Sequence, residues 1–464
     1  MRPRMVLVTM LTAGLASLVG CTVPREAGFG DVRKLVDGRG IARVHWKQGT
    51  DEDARVDAHV RDLLGRELTA ATAVEVALLN NPRLQATFER LGVAQGDVVQ
   101  AGLLRNPSIT GHVGLPIGAG LVEWDVSIVA PFLDAILIPL RKRFAKAEFE
   151  RVKLEVADEI LATAAEARRA FYQMQAANQV LAMERMVLEA GQASAELAMR
   201  QHAAGNMSDL DLSAQQEQYA QTKLDTARAE VRLLTDREHL SRILGVWGAQ
   251  TEWKVAPTLP DLPAEEPPLE HVESFAIAHR LDLLAARRDI ETRSAALRIT
   301  RTTRVIGGLD VGAAGHRDAD GPLTVGPNLT VELPIFNQKQ GEVARLVAEM
   351  RAAMRRSEAL AVAIRSEVRD ARNRLLAERA TVDYYRKTLI PLRERRVALT
   401  LQQYNAMLLG VYQLLQSKQA EITAYREYIE AVRDYWMARS DLERAAGGPL
   451  AENEPAGSAR QGAK

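Results

Sequence analysis

The sequence predicts a mainly α protein with a small membrane β part, built as a duplicated repeat of helix, strand, strand, long helix, turn and helix. Three observations predict it. The stretch from Asp134 to Gly205 has no proline after Pro139 and one glycine, Gly191, before Gly205. It is rich in the strong helix formers Ala, Glu, Arg, Gln, Leu and Met. A helix over 140–205 would be roughly 100 Å long, far beyond an ordinary globular helix. Second, four short segments alternate apolar and polar residues. Third, the whole arrangement occurs twice.

Taken from the start, Arg2 and Arg4 precede the apolar run Met5–Leu11 and then small residues. Residues 1–20 therefore read as a secretory signal peptide, with a run too short to span a bilayer. Leu18-Val19-Gly20-Cys21 resembles the bacterial lipobox, whose cysteine is acylated and becomes the first residue of the mature chain. Cys21 is the only cysteine, so neither a disulfide framework nor a zinc cluster fits one chain. Thr22, in place of Asp, favours outer-membrane sorting by analogy with bacterial lipoproteins. Such an anchor tethers without spanning. Residues 22–68 are mixed and charged and read as an extended segment packed outside the body.

The repeats cover 69–246 and 271–447. Thr69–Ala86 is matched by 271–285, with Ala77 aligned to Ala276. Strands are expected over 106–115 and 123–132 in the first copy and over 304–314 and 323–335 in the second. Helical hairpins follow over 135–245 and 338–446, with apolar residues at Val152, Val156, Ile160, Val180, Met183 and Val187 in the first. The turn Gly205–Asp211 matches 407–413 and Gly245 matches Gly447, both at an offset of 202. A repeat of this size decides the fold. Residues 247–270, with the proline-rich run Pro257–Pro268, form a linker. Residues 448–464 are expected to be a disordered tail.

In the strands, Ile109, Gly111, Val113 and Leu115 oppose Thr110, His112 and Gly114. Trp124, Val126 and Ile128 oppose Asp125 and Ser127. Val305, Leu309, Val311 and Ala313 oppose Gly308, Asp310 and Gly312. Leu329, Val331 and Leu333 oppose Asn328, Thr330 and Glu332. This is the pattern of a membrane β-barrel, lipid outside and water inside, although the strands by themselves favour a soluble antiparallel sheet with one dry face. The lipobox and long helices favour the barrel. Four strands cannot close one, since about eight are needed, and an open edge in lipid is forbidden. Several chains must then share one barrel.

The duplication, the strand–Pro–long helix junctions at Pro131 and Pro334, and the turns QHAAGNMSDLDLSAQ (201–215) and QYNAMLLGVYQLLQS (403–417) carry a resemblance. The chain resembles the TolC-like outer-membrane efflux factor family, and more closely its lipoprotein branch, over nearly all of 69–447. The resemblance implies a homotrimeric outer-membrane channel of a tripartite multidrug or metal efflux system. Three chains would give a twelve-helix α-barrel continuous with a shared twelve-stranded β-barrel, four strands per chain. A periplasmic adaptor would dock at the helix tips and link the duct to an inner-membrane pump, of RND type. The residues before 69, around 247–270 and beyond 448 would form a belt around the tube. Two other readings are a periplasmic coiled-coil lipoprotein tether without a pore, which needs no strands, and a duct for type I protein secretion.

The resemblance implies a periplasmic aperture at the tips. Asp209 and Asp211 keep the first tip's acidic character. Asp211 matches a family aspartate that bonds a tyrosine on the neighbouring tip, and Tyr404 stands at that tyrosine's position. Leu409 replaces the family's arginine in this lock. Gln413 and Gln416 replace the second tip's aspartates, which puts a strongly cation-selective ring in doubt. Helix capping is the other reading of Ser208 and Asp209, and both can hold. Met207 and Met407 fall at the two tips as soft thioethers, or as plain apolar contacts. His112 reads as lumenal surface. Arg141-Lys142-Arg143 could face lipid headgroups, or be a solvated helix start. There is no G-x-S-x-G and no phosphate loop, so no enzyme, metal or cofactor is expected. Lys+Arg and Asp+Glu are both 60, which leaves no basic stripe for nucleic acid.

Overall fold

The computed structural model describes residues 24–41, 43–115, 117, 122–304, 307–318 and 321–450. Cys21 with the signal segment, Val305, and the tail from 451 lie outside the described residues.

The described part of residues 22–68 is not an extended segment. It holds helix α1 (Phe29–Asp37) and helix α2 (Asp51–Gly65). The acidic run within this stretch is a helix start: Asp51, Glu52 and Asp53 occupy the first turn of α2, where carboxylates offset the helix dipole. Asp53 accepts from the N–H groups of Gln48, Gly49 and Thr50 at 3.0, 2.6 and 3.0 Å. Val60, Leu63 and Leu64 bury the other side of α2.

The chain divides into two units. The first contains residues 88–156 and 282–359, the second 33–87, 157–281 and 360–450. A two-residue strand β1 (Glu67–Leu68) leads into α3 (Ala70–Asn80) and α4 (Pro82–Ala101), then β2 (Ser108–Gly114), β3 (Glu123–Pro131), α5 (Phe132–Ala203) and α6 (Asp209–Leu244). After a short strand β4 (Lys254–Val255), parallel to β1, the second copy runs α7 (Val272–His279), α8 (Leu281–Thr303), β5 (Leu309–Arg317), β6 (Thr324–Val331), α9 (Gln340–Tyr384), α10 (Ile390–Asn405) and α11 (Val411–Ala446).

In the first unit the four longer strands form one antiparallel sheet in the order β2-β3-β5-β6. Its register sorts the two faces across every strand. Ile109, Ile128, Ala313 and Pro327 fall in one row, and Gly111, Val126, Gly315 and Val325 in another. The alternate rows are Thr110, Ser127, Ala314 and Gly326, and His112, Asp125, His316 and Thr324. The apolar face is uncovered in the chain: Ile109 is 72% and Val325 70% exposed. Within this sheet β2 and β6 are the edges.

The largest shifts of expected boundaries are in the second copy. The third strand starts at Leu309, not 304, because α8 persists to Thr303. Thr302 and Thr303, which look like strand formers, satisfy their hydroxyls inside the helix on the carbonyls of Arg298 and Ile299, at 2.9 and 3.0 Å. The fourth strand ends at Val331, not 335. The two proline junctions are consequently unequal. Pro131 closes β3 and α5 begins at the next residue, whereas Pro334 stands in the loop between β6 and α9.

In the second unit α5 buries Ile160, Ala164, Ala167, Phe171, Met174, Ala177 and Leu181, a seam spaced by threes and fours. Of the apolar residues the spacing picks out along α5, Val152, Val156 and Ile160 are buried. Val180, Met183 and Val187 are only half-buried, because the seam passes through Leu181 and Glu184 instead.

The duplication is legible atom by atom. Asn81 N–H donates to Ala77 O and Arg280 N–H to Ala276 O, each at 2.9 Å, so both short helices stop at the same place. Both hairpins end in a glycine at positive φ, Gly245 at 68° and Gly447 at 84°. Each glycine caps its helix with the same bond pair, N–H of Gly245 to Arg242 O and of Val246 to Ser241 O, then Gly447 to Arg444 O and Gly448 to Glu443 O. Each end lies against the break in its short helix pair. A Cβ on Gly245 would stand 2.6 Å from Asn80 O, and one on Gly447 3.2 Å from Arg280 Cα.

The linker is strapped down by long side chains. Gln175 donates to Thr258 O at 2.7 Å, Trp436 Nε1 to Pro260 O at 3.0 Å and Arg379 to Ala264 O at 2.6 Å. Half-buried Glu266 takes Arg379 at 2.6 Å and the Tyr435 hydroxyl at 2.5 Å. Burial, and then that hydrogen bond to Glu266, push the Tyr435 phenol up to about 12.

Candidate functional site

The two tip turns carry the candidate aperture residues, and both lie in the second unit. In the first, α5 ends at Ala203 and Gly205 turns the chain at φ 76°. Gly205 N–H donates to His202 O and Asn206 N–H to Gln201 O, both at 2.9 Å. Ser208 then starts α6: its oxygen accepts from Asp211 N–H at 3.1 Å, and its hydroxyl donates to Asp211 Oδ2 at 2.7 Å. Asp209 bonds His202 Nε2 at 2.7 Å. The carboxylates of Asp209 and Asp211 are thus held within their own turn, and Asp211 is brought to Ser208 rather than to Tyr404.

The second turn repeats the first with different residues. Met407 N–H donates to Tyr404 O and Leu408 N–H to Gln403 O, both at 2.9 Å. Met407 stands where Gly205 stood (407 − 205 = 202) and takes the left-handed conformation at φ 59°. Its side chain makes little compensating contact, at 93% exposed. Gly410 replaces Ser208 (410 − 208 = 202), so α11 starts without a side-chain cap.

Gln413 and Gln416 are both exposed. Gln416 lines a groove of about 590 Å³ together with Gln218, Gln221, Tyr412, Gln419 and Arg393. Gln218 donates across it to Gln419 at 2.8 Å. The groove's wall is amide-rich, with Glu217 and Glu427 as its carboxylates.

One feature near the second tip went unread in the sequence. Between α9 and α10, residues Tyr385–Leu389 form a π-helical turn. Pro391 sits at the start of α10. Proline lacks the N–H that would bond four residues back and its ring crowds that carbonyl, so the helix relieves itself with one wider turn. The hairpin is stitched across at this level: the Tyr385 hydroxyl donates to Glu427 at 3.0 Å and that of Tyr425 to Glu394. The bond to Glu394, with burial, pushes the Tyr425 phenol up to about 12, so it remains a donor at any physiological pH. The available signal was Pro391 itself, which the first hairpin lacks at the matching Glu189 (391 − 202 = 189).

The remaining candidates fall apart from one another. Met407 is exposed on the second turn, while Met207 is half-buried on the first. Arg141, Lys142 and Arg143 lie within α5, where Arg141 donates to Asp134 O at 3.0 Å and Arg105 pairs with Asp134 at 3.1 Å. Among the described residues no helix is long and apolar enough to cross a membrane.

Residues 73–246 match the family model described as outer membrane efflux protein. The chain is 23% identical over 394 residues to the cobalt-zinc-cadmium resistance protein CzcC of Cupriavidus metallidurans, covering 82% of this chain and 90% of that protein. Its fold is that of the Campylobacter jejuni CmeC outer membrane channel, with a TM-score of 0.71, 12% identity and 94% of each chain covered. CusC has the same fold, with a TM-score of 0.69 and 15% identity over 82% of this chain and 92% of that one.

Proposed function

We infer that this chain, a TolC-like outer-membrane efflux factor, works as a passive gated duct in a tripartite efflux assembly, and that it is not an enzyme. One observation carries the duct: the register that separates apolar from polar rows across all four strands and leaves β2 and β6 as edges. In lipid those edges must be paired, and a trimer pairs β2 of each chain with β6 of the next. The apolar face then meets lipid and the polar face meets water. A periplasmic adaptor and an inner-membrane pump complete the assembly and supply the energy.

The finer proposals rest on single features. Acylation of Cys21 would anchor the chain to the outer membrane. The likeness to CzcC, a cobalt-zinc-cadmium resistance protein, favours divalent metal cations as cargo, and the family resemblance favours a pump of RND type. Asp211 and Tyr404 would meet between neighbouring tips in the closed state, and their separation would open the aperture.

The test is planar-bilayer conductance of the full chain purified in detergent, with its mass determined alongside. Discrete openings from a trimer support the duct. A monomer without conductance would leave the tether reading instead. For the lock, Asp211→Ala and Tyr404→Phe should each raise the open probability, and unchanged openings in both would remove it.

A further inference from the structure

We propose that the region where the helices leave the sheet is a docking surface for anionic phospholipid headgroups of the periplasmic leaflet. Lys142, Arg143 and Lys146 of α5 hold the headgroups in the first copy, and Lys339 in the second. The proposal rests on the duct reading above, which sets the sheet in the outer membrane.

The exposed face of α5 changes character within about one turn. Phe132, Ile136, Pro139, Arg143 and Lys146 are all exposed. They follow one another at steps of four and three residues, so they form a single stripe along the helix. Phe132 is 50% and Ile136 58% exposed. The stripe is apolar as far as Pro139 and cationic from Arg143, with exposed Lys142 beside it. Apolar surface gains when lipid covers it, and cations do not follow it into hydrocarbon. The second copy repeats the change after β6. Leu333, Ile335 and Phe336 are 69%, 67% and 91% exposed, and exposed Lys339 follows them.

The dimensions fit a bilayer edge. The nine residues of β3, tilted as in a membrane barrel, rise about 23 Å of an apolar band about 25 Å tall. Phe132 therefore starts at the edge of the hydrocarbon. From Phe132 to Pro139 the helix runs roughly 10 Å, comparable with the polar layer on one side of a bilayer, about 5–8 Å. The Cα–Cβ bonds of a helix lean towards its N-terminus. Here that direction is back towards the sheet, so the long cationic side chains reach up to the phosphates while their stems cover apolar surface.

The cations are open to an outside anion. Among the described residues Lys142, Arg143 and Lys146 form no ion pair. The acids around them are already engaged. Asp134 takes Arg105 at 3.1 Å and faces Arg141 at 3.9 Å. Glu148 pairs with Arg151, and Glu150 with Lys153. A phosphodiester oxygen accepts from ammonium and from guanidinium, and Arg143 can grip it with two donors. A headgroup with net negative charge gains most, because a zwitterionic one carries its own ammonium.

The test is the lipid selectivity of the full chain reconstituted in phosphatidylcholine bilayers. It is read from the motionally restricted fraction of spin-labelled phosphatidylglycerol against that of spin-labelled phosphatidylcholine. Phosphatidylglycerol should be preferred by about fivefold, the effect of one cation near an anionic headgroup. Combining Lys142→Gln, Arg143→Gln and Lys146→Gln should bring the ratio close to one with the trimer mass unchanged. Arg200→Gln, at the other end of α5, should leave it as it was. Equal association of the two lipids, or an unchanged ratio in the triple variant, overturns the proposal. So does a preference that millimolar inorganic phosphate abolishes, since the surface would then serve a free anion. Failure of the duct reading shows differently, as a chain that restricts neither lipid.

Discussion

Met407 holds the turn of the second tip in a backbone conformation that its own first copy gives to glycine. A side chain at positive φ costs about 1–2 kcal/mol through the clash of Cβ with the carbonyl, and this exposed methionine recovers little of it by packing. Met407→Gly should therefore stabilise the second hairpin by about 1 kcal/mol, the strain relieved being partly offset by glycine's freer unfolded chain. Denaturant unfolding of the purified protein would measure it, with Gly205→Met as the mirror-image experiment and loss as its outcome. Asp53 sets a second residue-scale expectation. Burial raises its pKa, but the His45 hydrogen bond and the three backbone donors outweigh this and bring it to about 2 from 3.8. A depressed carboxylate contributes its stability above the unfolded value and loses it as pH falls through the folded one. The start of α2 should thus loosen between about pH 4 and pH 2, and Asp53→Asn should remove that transition. Amide exchange of residues 50–56 against pH is the measurement.

At the scale of the element, the π turn at Tyr385–Leu389 distinguishes the second hairpin from the first. Its five residues trade ordinary helical bonds for wider ones, so under the proposed gating it is where the tip would swing. Pro391→Ala should restore a regular helix, and amide protection over 385–391 should rise by about tenfold, the equivalent of roughly 1.4 kcal/mol in local opening. No change in protection would show that packing against α11, not the proline, holds the turn. Much at this scale could be read from the chain. Helix formers and the lack of breakers exposed the long helices, and the 202-residue offset exposed paired caps at Gly245 and Gly447. What escaped were places where local chemistry overrides a residue's usual preference. Thr302 and Thr303 are β-branched residues next to the expected strand, yet they return their hydroxyls to the helix and extend it. Asp51–Asp57 fell in a stretch read as extended segment but begin α2. The candidate site was legible as positions, since the turns fall where the repeat puts them. Their bonding was not, because Asp211 finds its nearest partner three residues away in Ser208.

At the scale of the whole molecule, the selectivity of the proposed duct would depend on residues that repeat around its axis. Gln413 and Gln416 present amides, so a ring of carboxylates should be created by Gln413→Asp with Gln416→Asp. Reversal potentials across a salt gradient should then shift towards cation preference, and an unshifted potential would place the constriction elsewhere along the duct. The edges of the sheet reach further still. A chain whose β6 cannot pair would still fold its hairpins and meet its neighbours, spoiling the assemblies it enters. Co-expressed in equal amount with intact chains, it would leave only about one in eight trimers wholly intact under random mixing. In a cell, such an allele would behave as dominant even though it does nothing by itself.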